Sequence, residues 1–176
     1  MELSIHSRRT VLVRLLLLAV GGALASSVHA QSTPTLVGAW RLVSVSSPDA
    51  TGALRPYWGE QPTGLIIYTS DGHMAAQVYD SRRPRLGVPW ESVSPEAART
   101  AFVGLSTYFG TYTVDTDKKT VTHTVEGAMA PDWIGSKLVR SYRFLDPNRI
   151  ELGVVADAQV VTNGLVLVWQ RIEGQR

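Results

Sequence analysis

Short apolar or alternating runs, separated by turn residues, fill most of the chain beyond residue 35. They are rich in Val, Ile, Thr and Tyr, which strands favour. Eight segments fit this description: residues 36–45, 64–69, 73–79, 109–115, 120–126, 138–145, 149–155 and 160–171, the last with a possible bend at Asn163-Gly164. The pattern therefore predicts eight β-strands.

The connections between these strands are mostly short, as in antiparallel hairpins. Residues 70–72 (Ser-Asp-Gly), 116–119 (Thr-Asp-Lys-Lys) and 146–148 (Asp-Pro-Asn) are typical tight turns. A sheet built this way exposes two open edges unless it closes on itself. We therefore predict an all-β, eight-stranded antiparallel up-and-down barrel, which either fills with side chains or holds one small ligand. A β-sandwich is the alternative, although it needs longer crossing connections.

One segment has helical rather than strand periodicity. Ser94 suits an N-cap, Pro95 the first helical position and Glu96 the first turn. An apolar stripe follows on one helical face, formed by Ala97, Ala98, Ala101, Phe102 and Leu105. We expect one helix of about three turns, ending near Ser106, between the third and fourth strands.

The first thirty residues have the organisation of a secretory signal peptide. Arg8, Arg9 and Arg14 precede the apolar residues 15–25, and Val28-His29-Ala30 supplies small residues around a cleavage position. An apolar run of this length is too short to span a bilayer, which takes about 20 residues. We expect a signal peptide over residues 1–30, a barrel domain over 31–176, and a periplasmic or secreted protein. The adjacent arginines also suit twin-arginine export, so the route stays open.

Charge and composition exclude several function classes. Removing residues 1–30 takes away three of 17 basic and one of 15 acidic side chains, leaving a neutral chain without the basic patch that nucleic-acid binding needs. The absence of cysteine excludes disulfides and thiolate zinc sites. Beyond the signal only His73 and His123 remain, with no metal-binding, phosphate-loop or G-x-S-x-G spacing. We expect no cofactor and no metal.

Two groups of residues carry a family resemblance. Gly38-Ala39-Trp40 resembles the G-x-W signature of lipocalins, in which the tryptophan plugs one barrel end, and Arg171 would lie across that indole. Three internal blocks add to it: residues 64–74, 110–115, and 121–127 followed by 131–135. Together they are similar to the lipocalin-like domain family of bacterial and fungal proteins, over residues 36–172. The resemblance implies a calycin-type β-barrel and no particular activity.

Alternation within the strands assigns side chains to the barrel interior. His123 shares a face with two valines, and Arg140 and Tyr142 share the more aromatic face of their strand. Tyr112 belongs to the predicted strand 109–115, which precedes that of His123. It shares a face with Gly110 and Val114, and we expect this face to point inward as well.

The predicted ligand-binding residues are Tyr112, His123, Arg140, Trp133 and Tyr142. In this hypothesis Arg140 binds a carboxylate or another anion, with His123 and Tyr112 orienting it and Trp133 on a loop over the mouth. Simpler structural roles compete with each assignment. His123 suits a core histidine bonded to a hydroxyl, Arg140 an ion pair with Glu126, and both Tyr112 and Trp133 ordinary packing.

The function predicted from the sequence is therefore an exported barrel that binds a small hydrophobic or amphipathic ligand. The alternative is a small barrel enzyme of the isomerase or cyclase type. His123 would then act as general base with Glu126 or Tyr112 as acid, or the barrel would promote the reaction by shape. The sequence identifies neither the ligand nor the oligomeric state.

Overall fold

A computed structural model of the protein describes residues 35–155 and 164–174. These ranges contain the strands β1 (Gly38–Pro48), β2 (Leu54–Pro56), β3 (Thr63–Tyr68), β4 (His73–Tyr79), β5 (Leu105–Asp115), β6 (Thr120–Ala128), β7 (Lys137–Asp146), β8 (Arg149–Val154) and β9 (Val166–Arg171). A helix, α1 (Pro95–Val103), lies between β4 and β5, and single 3₁₀ turns occupy Trp90–Ser92 and Pro131–Trp133.

The strands close into a barrel. From β3 to β9 each strand pairs antiparallel with the next, and β1 pairs with both β3 and β9. Eight strands therefore form a closed antiparallel barrel, as the sequence predicts. The short β2 is an addition that pairs with the last residues of β1. The sequence does not predict β2 because its three residues, all exposed, are too few to show alternation.

Several boundaries differ from the sequence prediction. β1 continues through Ser46, Ser47 and Pro48, beyond the predicted end of the strand at residue 45, because β2 pairs with them there. The helix ends at Val103, earlier than predicted, and β5 begins at Leu105 rather than at residue 109. The predicted last strand spans residues 160–171. Its first four residues lie outside the described residues, and β9 covers its second half.

The start of α1 agrees with its sequence signals. The Ser94 hydroxyl accepts a hydrogen bond of 3.2 Å from the backbone N–H of Ala97, and Pro95 opens the first turn. Within the described residues, neither this nor any other helix has the length and apolar character that a membrane span requires. The helix packs beside the start of β5 and places Val103 near one end of the barrel.

Two register shifts adjust which side chains face inward. In β1 the register with β9 shifts between Leu42 and Ser44, so Val43 faces solvent and Val45 returns to the interior. In β5 the shift lies at Gly110, where a β-carbon would collide with the backbone carbonyl oxygen of Thr124 on β6. Only glycine fits this close approach of the two backbones.

The barrel end formed by the start of β1 is closed by a tryptophan and an arginine. Trp40 is fully buried, and its Nε1 donates a 2.8 Å hydrogen bond to the carbonyl oxygen of Leu36. The guanidinium carbon of Arg171 lies 4.0 Å from the centre of the Trp40 ring. Gly38, with φ of 132°, leaves room for it, since a β-carbon there would come within 2.7 Å of an Arg171 nitrogen. The contact predicted between Trp40 and Arg171 is confirmed.

Candidate functional site

The other half of the barrel contains a cavity of about 260 Å³. Ile66, His123 and Trp169, all essentially inaccessible to solvent, contribute to its wall from the middle of the barrel. Val103 of α1 and Trp133 of the β6–β7 connection contribute at the mouth. The volume approaches the lower end of the range of about 300–1,000 Å³ typical of small-molecule pockets.

The wall of this cavity is mainly apolar. Its aliphatic and sulfur-containing members are Val45, Ile66, Ala76, Val78, Val103, Leu105, Met129, Leu152, Val154, Leu165 and Leu167. Its aromatic members are Tyr57, Trp58, Tyr108, Trp133 and Trp169, and its other polar members are Ser106, His123 and Arg140. No carboxylate lines it among the residues that the structure describes. An apolar wall with few polar groups is the usual composition of a ligand pocket.

His123 is held between two tyrosines. Its Nε2 lies 2.9 Å from the Tyr68 hydroxyl and its Nδ1 lies 2.9 Å from the Tyr108 hydroxyl. Burial, assisted by the positive charge of Arg140, lowers the pKa of His123 to about 3. Burial also raises the pKa of both phenols. At neutral pH all three groups are therefore uncharged, and His123 has one N–H donor and one acceptor nitrogen.

Arg140 is the one cation in the described cavity wall. It is partly buried, and one guanidinium nitrogen donates a 3.1 Å hydrogen bond to the carbonyl oxygen of Val139. No carboxylate of the described ranges lies within 4.0 Å of it. Glu126, its predicted ion-pair partner, is exposed on β6. Burial raises the pKa of Tyr108, and the charge of Arg140 and a hydrogen bond from its side chain oppose this rise. Most of the five N–H donors of Arg140 still have no protein acceptor in the described structure.

A second donor in the wall also lacks a partner. Trp169 is 1% exposed, and its buried Nε1 has no hydrogen-bond acceptor within the described part of the chain. Unsatisfied buried donors are rare in folded proteins, and one beside a cavity indicates an acceptor supplied by water or a ligand. At the mouth, Trp133 packs edge-on against Tyr108, with ring centres 6.0 Å apart.

The sequence matches a protein family over residues 37–172, and that family is described as the lipocalin-like domain. The chain belongs to the lipocalin-like domain family. Among solved structures, it is similar to a redesigned β-barrel, with 14% identity and a TM-score of 0.38, over 78% of this chain and 92% of the other. A comparison with curated proteins finds no match.

In this lipocalin-like barrel, three of the five predicted ligand-binding residues meet at the cavity. His123, Arg140 and Trp133 line its wall. Tyr112 does not line it in the described structure, because its ring packs against Tyr68 and its hydroxyl donates a 2.8 Å hydrogen bond to the carbonyl oxygen of Thr69.

Tyr142 also lies outside the wall of the lipocalin-like cavity in the described ranges. It is one inward position beyond Arg140 along β7, toward the closed end, where it packs on Phe144, which in turn contacts Trp40. The placements of Tyr112 and Tyr142 give no support to the predicted ligand contacts.

Sequence reasoning missed three polar members of this region. Tyr108 precedes the predicted start of its strand at residue 109, because the helix is predicted to continue to about Ser106, whereas β5 begins at Leu105. Tyr68 and Trp169 lie on inward positions of β3 and β9, which the same alternation argument would have identified. The lipocalin resemblance assigns a role to Arg171 and none to Trp169, which lies two residues before it.

The geometry gives little support to His123 as a general base. A buried imidazole with a pKa of about 3 is a weak base at neutral pH, and both its nitrogens already have hydroxyl partners. Glu126 is solvent-exposed, and the Tyr112 hydroxyl is bonded to Thr69. Residues 35–155 and 164–174 contain no group of three His, Asp or Glu side chains arranged to hold a metal ion.

Proposed function

We propose that this lipocalin-like protein binds a small, mainly apolar molecule in the open half of its barrel. One observation carries the proposal: an apolar cavity whose wall contains two donor groups, Arg140 and Trp169, with unused hydrogen-bonding capacity. A buried donor without an acceptor destabilises the fold by about 1–3 kcal/mol. A ligand with an acceptor group at one end would remove that penalty while its apolar body fills the remaining volume.

The first test blocks the cavity. Ala76 is 2% exposed and lines the wall, so in Ala76→Phe the new ring occupies the space proposed for the ligand. Three tryptophans of the wall (Trp58, Trp133 and Trp169) allow binding to be followed by intrinsic fluorescence. Titration with decanoate should change the emission of the wild-type protein and leave that of Ala76→Phe unchanged.

A matched control comes from the adjacent residue. Ala75 faces the outside of the barrel, opposite Ile67 and Phe109, so Ala75→Phe adds the same ring without filling the cavity. This variant should bind as the wild type does. Equal binding by Ala76→Phe and Ala75→Phe would show that the probe binds elsewhere and would contradict the proposal.

The natural ligand is best sought in protein isolated from its own host. Native mass spectrometry of wild-type protein should show an added mass that Ala76→Phe lacks. Wild-type protein without any added mass, together with no response to a panel of apolar acids, alcohols and ketones, would argue against binding.

We propose further that the protein is exported. The support is the basic, apolar and small-residue order of residues 1–30. Expression of the full chain should yield a mature protein whose first residue is Gln31, recovered outside the cytoplasm. Replacing Arg8 and Arg9 by lysine should block export only if the twin-arginine route is used. A full-length protein retained in the cytoplasm would contradict the proposal.

A further inference from the structure

We infer that Tyr68, a residue outside the cavity wall, sets the proton position of His123 so that Tyr108 presents a donor to the cavity. The inner end of the cavity then offers hydrogen-bond donors and selects an anionic oxygen group, such as a carboxylate. This inference rests on the proposed ligand binding and adds to it the chemical class of the ligand's polar end.

The proton of the Tyr68 hydroxyl has one possible acceptor within the described residues. Tyr68 is 1% exposed, and within the described residues its hydroxyl has a single hydrogen-bond partner, the Nε2 of His123. A buried hydroxyl whose proton lacks an acceptor is strongly disfavoured. The Tyr68 hydroxyl therefore donates to Nε2, which must be the unprotonated nitrogen of the ring.

The proton position on His123 follows from this. A neutral imidazole has one N–H, so an accepting Nε2 places the proton on Nδ1. The Nδ1–H then donates across 2.9 Å to the oxygen of Tyr108. Because that oxygen accepts from His123, the hydroxyl proton of Tyr108 points elsewhere, and Tyr108 lines the cavity.

The opposite arrangement is less favourable at both ends. If Tyr108 donated to Nδ1, then Nε2 would donate to Tyr68 and leave the Tyr68 proton buried without an acceptor in the described structure. The positive charge of Arg140 acts on both phenols, but its side chain is within hydrogen-bonding reach of Tyr108 only, which favours an arrangement in which the oxygen of Tyr108 accepts. The chain from Tyr68 through His123 to Tyr108 thus has one preferred direction.

The same wall then contains three donors: the Tyr108 hydroxyl, the guanidinium of Arg140 and the Nε1–H of Trp169. Arg140 and Trp169 have no acceptor capacity at all. Ser106, a hydroxyl that can accept, lies at the start of β5, two residues before Tyr108. An oxygen anion can accept hydrogen bonds from donors of this wall and pair with the charge of Arg140, whereas an ammonium group is repelled by that charge.

The proton position can be measured without any ligand. Nitrogen-15 NMR of the wild-type protein at pH 7 should show His123 with a protonated Nδ1 and an unprotonated Nε2. In Tyr68→Phe this preference should be lost, since nothing then donates to Nε2. A wild-type ring protonated on Nε2 would overturn the inference whatever the protein binds.

The ligand class is tested with three probes of equal chain length: decanoate, methyl decanoate and decylammonium. Decanoate should bind about tenfold or more tightly than either of the others, because a charge-assisted hydrogen bond is lost or replaced by repulsion. Equal affinity for all three would leave cavity binding intact and overturn the donor arrangement. Binding of none would instead contradict the proposed function.

Variants separate positioning from packing. Tyr108→Phe should weaken decanoate binding about tenfold, and Tyr68→Phe should weaken it although Tyr68 does not line the cavity. Tyr112→Phe removes a hydroxyl that is bonded to Thr69 and should leave both the affinity and the His123 proton unchanged. Should Tyr108→Phe fail to fold, the wild-type NMR measurement still decides the inference. A Tyr68→Phe protein with wild-type affinity and proton position would overturn it.

Discussion

The two halves of the barrel use the same residue types in opposite ways. At the closed end, Arg171 lies across Trp40 and donates to the backbone carbonyl oxygens of Val37 and Thr35 at 2.8 and 2.7 Å. The Nε1–H of Trp40 is likewise bonded to a carbonyl. At the open end, the described structure gives Arg140 a single backbone acceptor and gives the Nε1–H of Trp169 none.

This difference distinguishes polar side chains that stabilise the fold from polar side chains that are available to a ligand. Where the arginine and the tryptophan both donate to backbone carbonyl oxygens, the pair closes the barrel and contributes to the free energy of unfolding. Where donors are left over beside a cavity, they add no internal bonds and are available to a bound molecule. We therefore expect substitutions at the closed end to change stability, and those at the open end to change binding.

The largest effect is expected from Trp40. Because Trp40 is fully buried and packs against Phe144 and Arg171, Trp40→Ala should lower the free energy of unfolding by about 3–5 kcal/mol. Trp133→Ala, at the partly exposed mouth, should cost about 1 kcal/mol or less while weakening ligand binding. Urea unfolding measures both, and similar losses would remove the distinction between the two ends.

An intermediate effect is expected on acidification. The folded pKa of His123 is about 3, below the unfolded value of about 6.5, so the unfolded chain takes up a proton first. The free energy of unfolding therefore has its full value above about pH 6.5 and decreases as the pH falls toward 3. Between pH 7.5 and 5 the loss is about 2 kcal/mol.

The acid effect can be assigned by substitution. In His123→Gln the loss between pH 7.5 and 5 should be smaller by about 2 kcal/mol, whatever the stability at pH 7.5. His73 is exposed, so His73→Gln is the matched control for the replacement of a histidine by glutamine outside the barrel core. An unchanged slope in His123→Gln would show that the imidazole is not buried in neutral form.

A smaller effect on stability is expected from the two arginines. Arg171→Met removes the contact with Trp40 and the hydrogen bonds to Val37 and Thr35, and should cost about 1–2 kcal/mol. Arg140→Met keeps an apolar chain of similar length and should be nearly neutral or slightly stabilising, since it removes an unpaired charge. Thermal unfolding with and without decanoate measures the stability of each variant and its stabilisation by the ligand. Only the Arg140 variant should lose this stabilisation.

A matched surface control exists on the same strand. Arg143 faces outward on β7 and pairs with Glu151 at 3.0 Å, so Arg143→Met should change neither binding nor stability by more than about 0.5–1 kcal/mol. If Arg143→Met weakened decanoate binding as much as Arg140→Met, the loss of affinity would be explained by the lower positive charge of the protein and not by a contact in the cavity.

The fold was largely predictable because barrel strands alternate and hairpin turns have distinctive residues. Residues 73–79 match β4 throughout, and Ser94 caps α1 as expected. What escaped prediction depended on pairing rather than on local pattern. β2 is a strand only because β1 extends to meet it, and β5 begins early because Gly104 ends the helix.

The site was predictable in part for the same reason. Alternation placed His123 and Arg140 inward, and both line the cavity. It does not say how far along the barrel the cavity reaches, so Tyr112 and Tyr142 received the same prediction although they lie outside the wall described here. Hydrogen bonds such as that between Tyr68 and His123 join residues 55 positions apart, and sequence spacing does not reveal them.

One measurement tests the difference between the two ends most directly. The indole N–H signals of the five tryptophans can be followed by NMR during titration with decanoate, after assignment with single Trp→Phe variants. The Trp169 signal should shift to the position typical of a hydrogen-bonded indole, because the ligand supplies its missing acceptor. The Trp40 signal should stay fixed, because its N–H already donates to the carbonyl oxygen of Leu36. A stationary Trp169 signal, or a shift at Trp40 instead, would contradict the assignment of binding to the open half of the barrel.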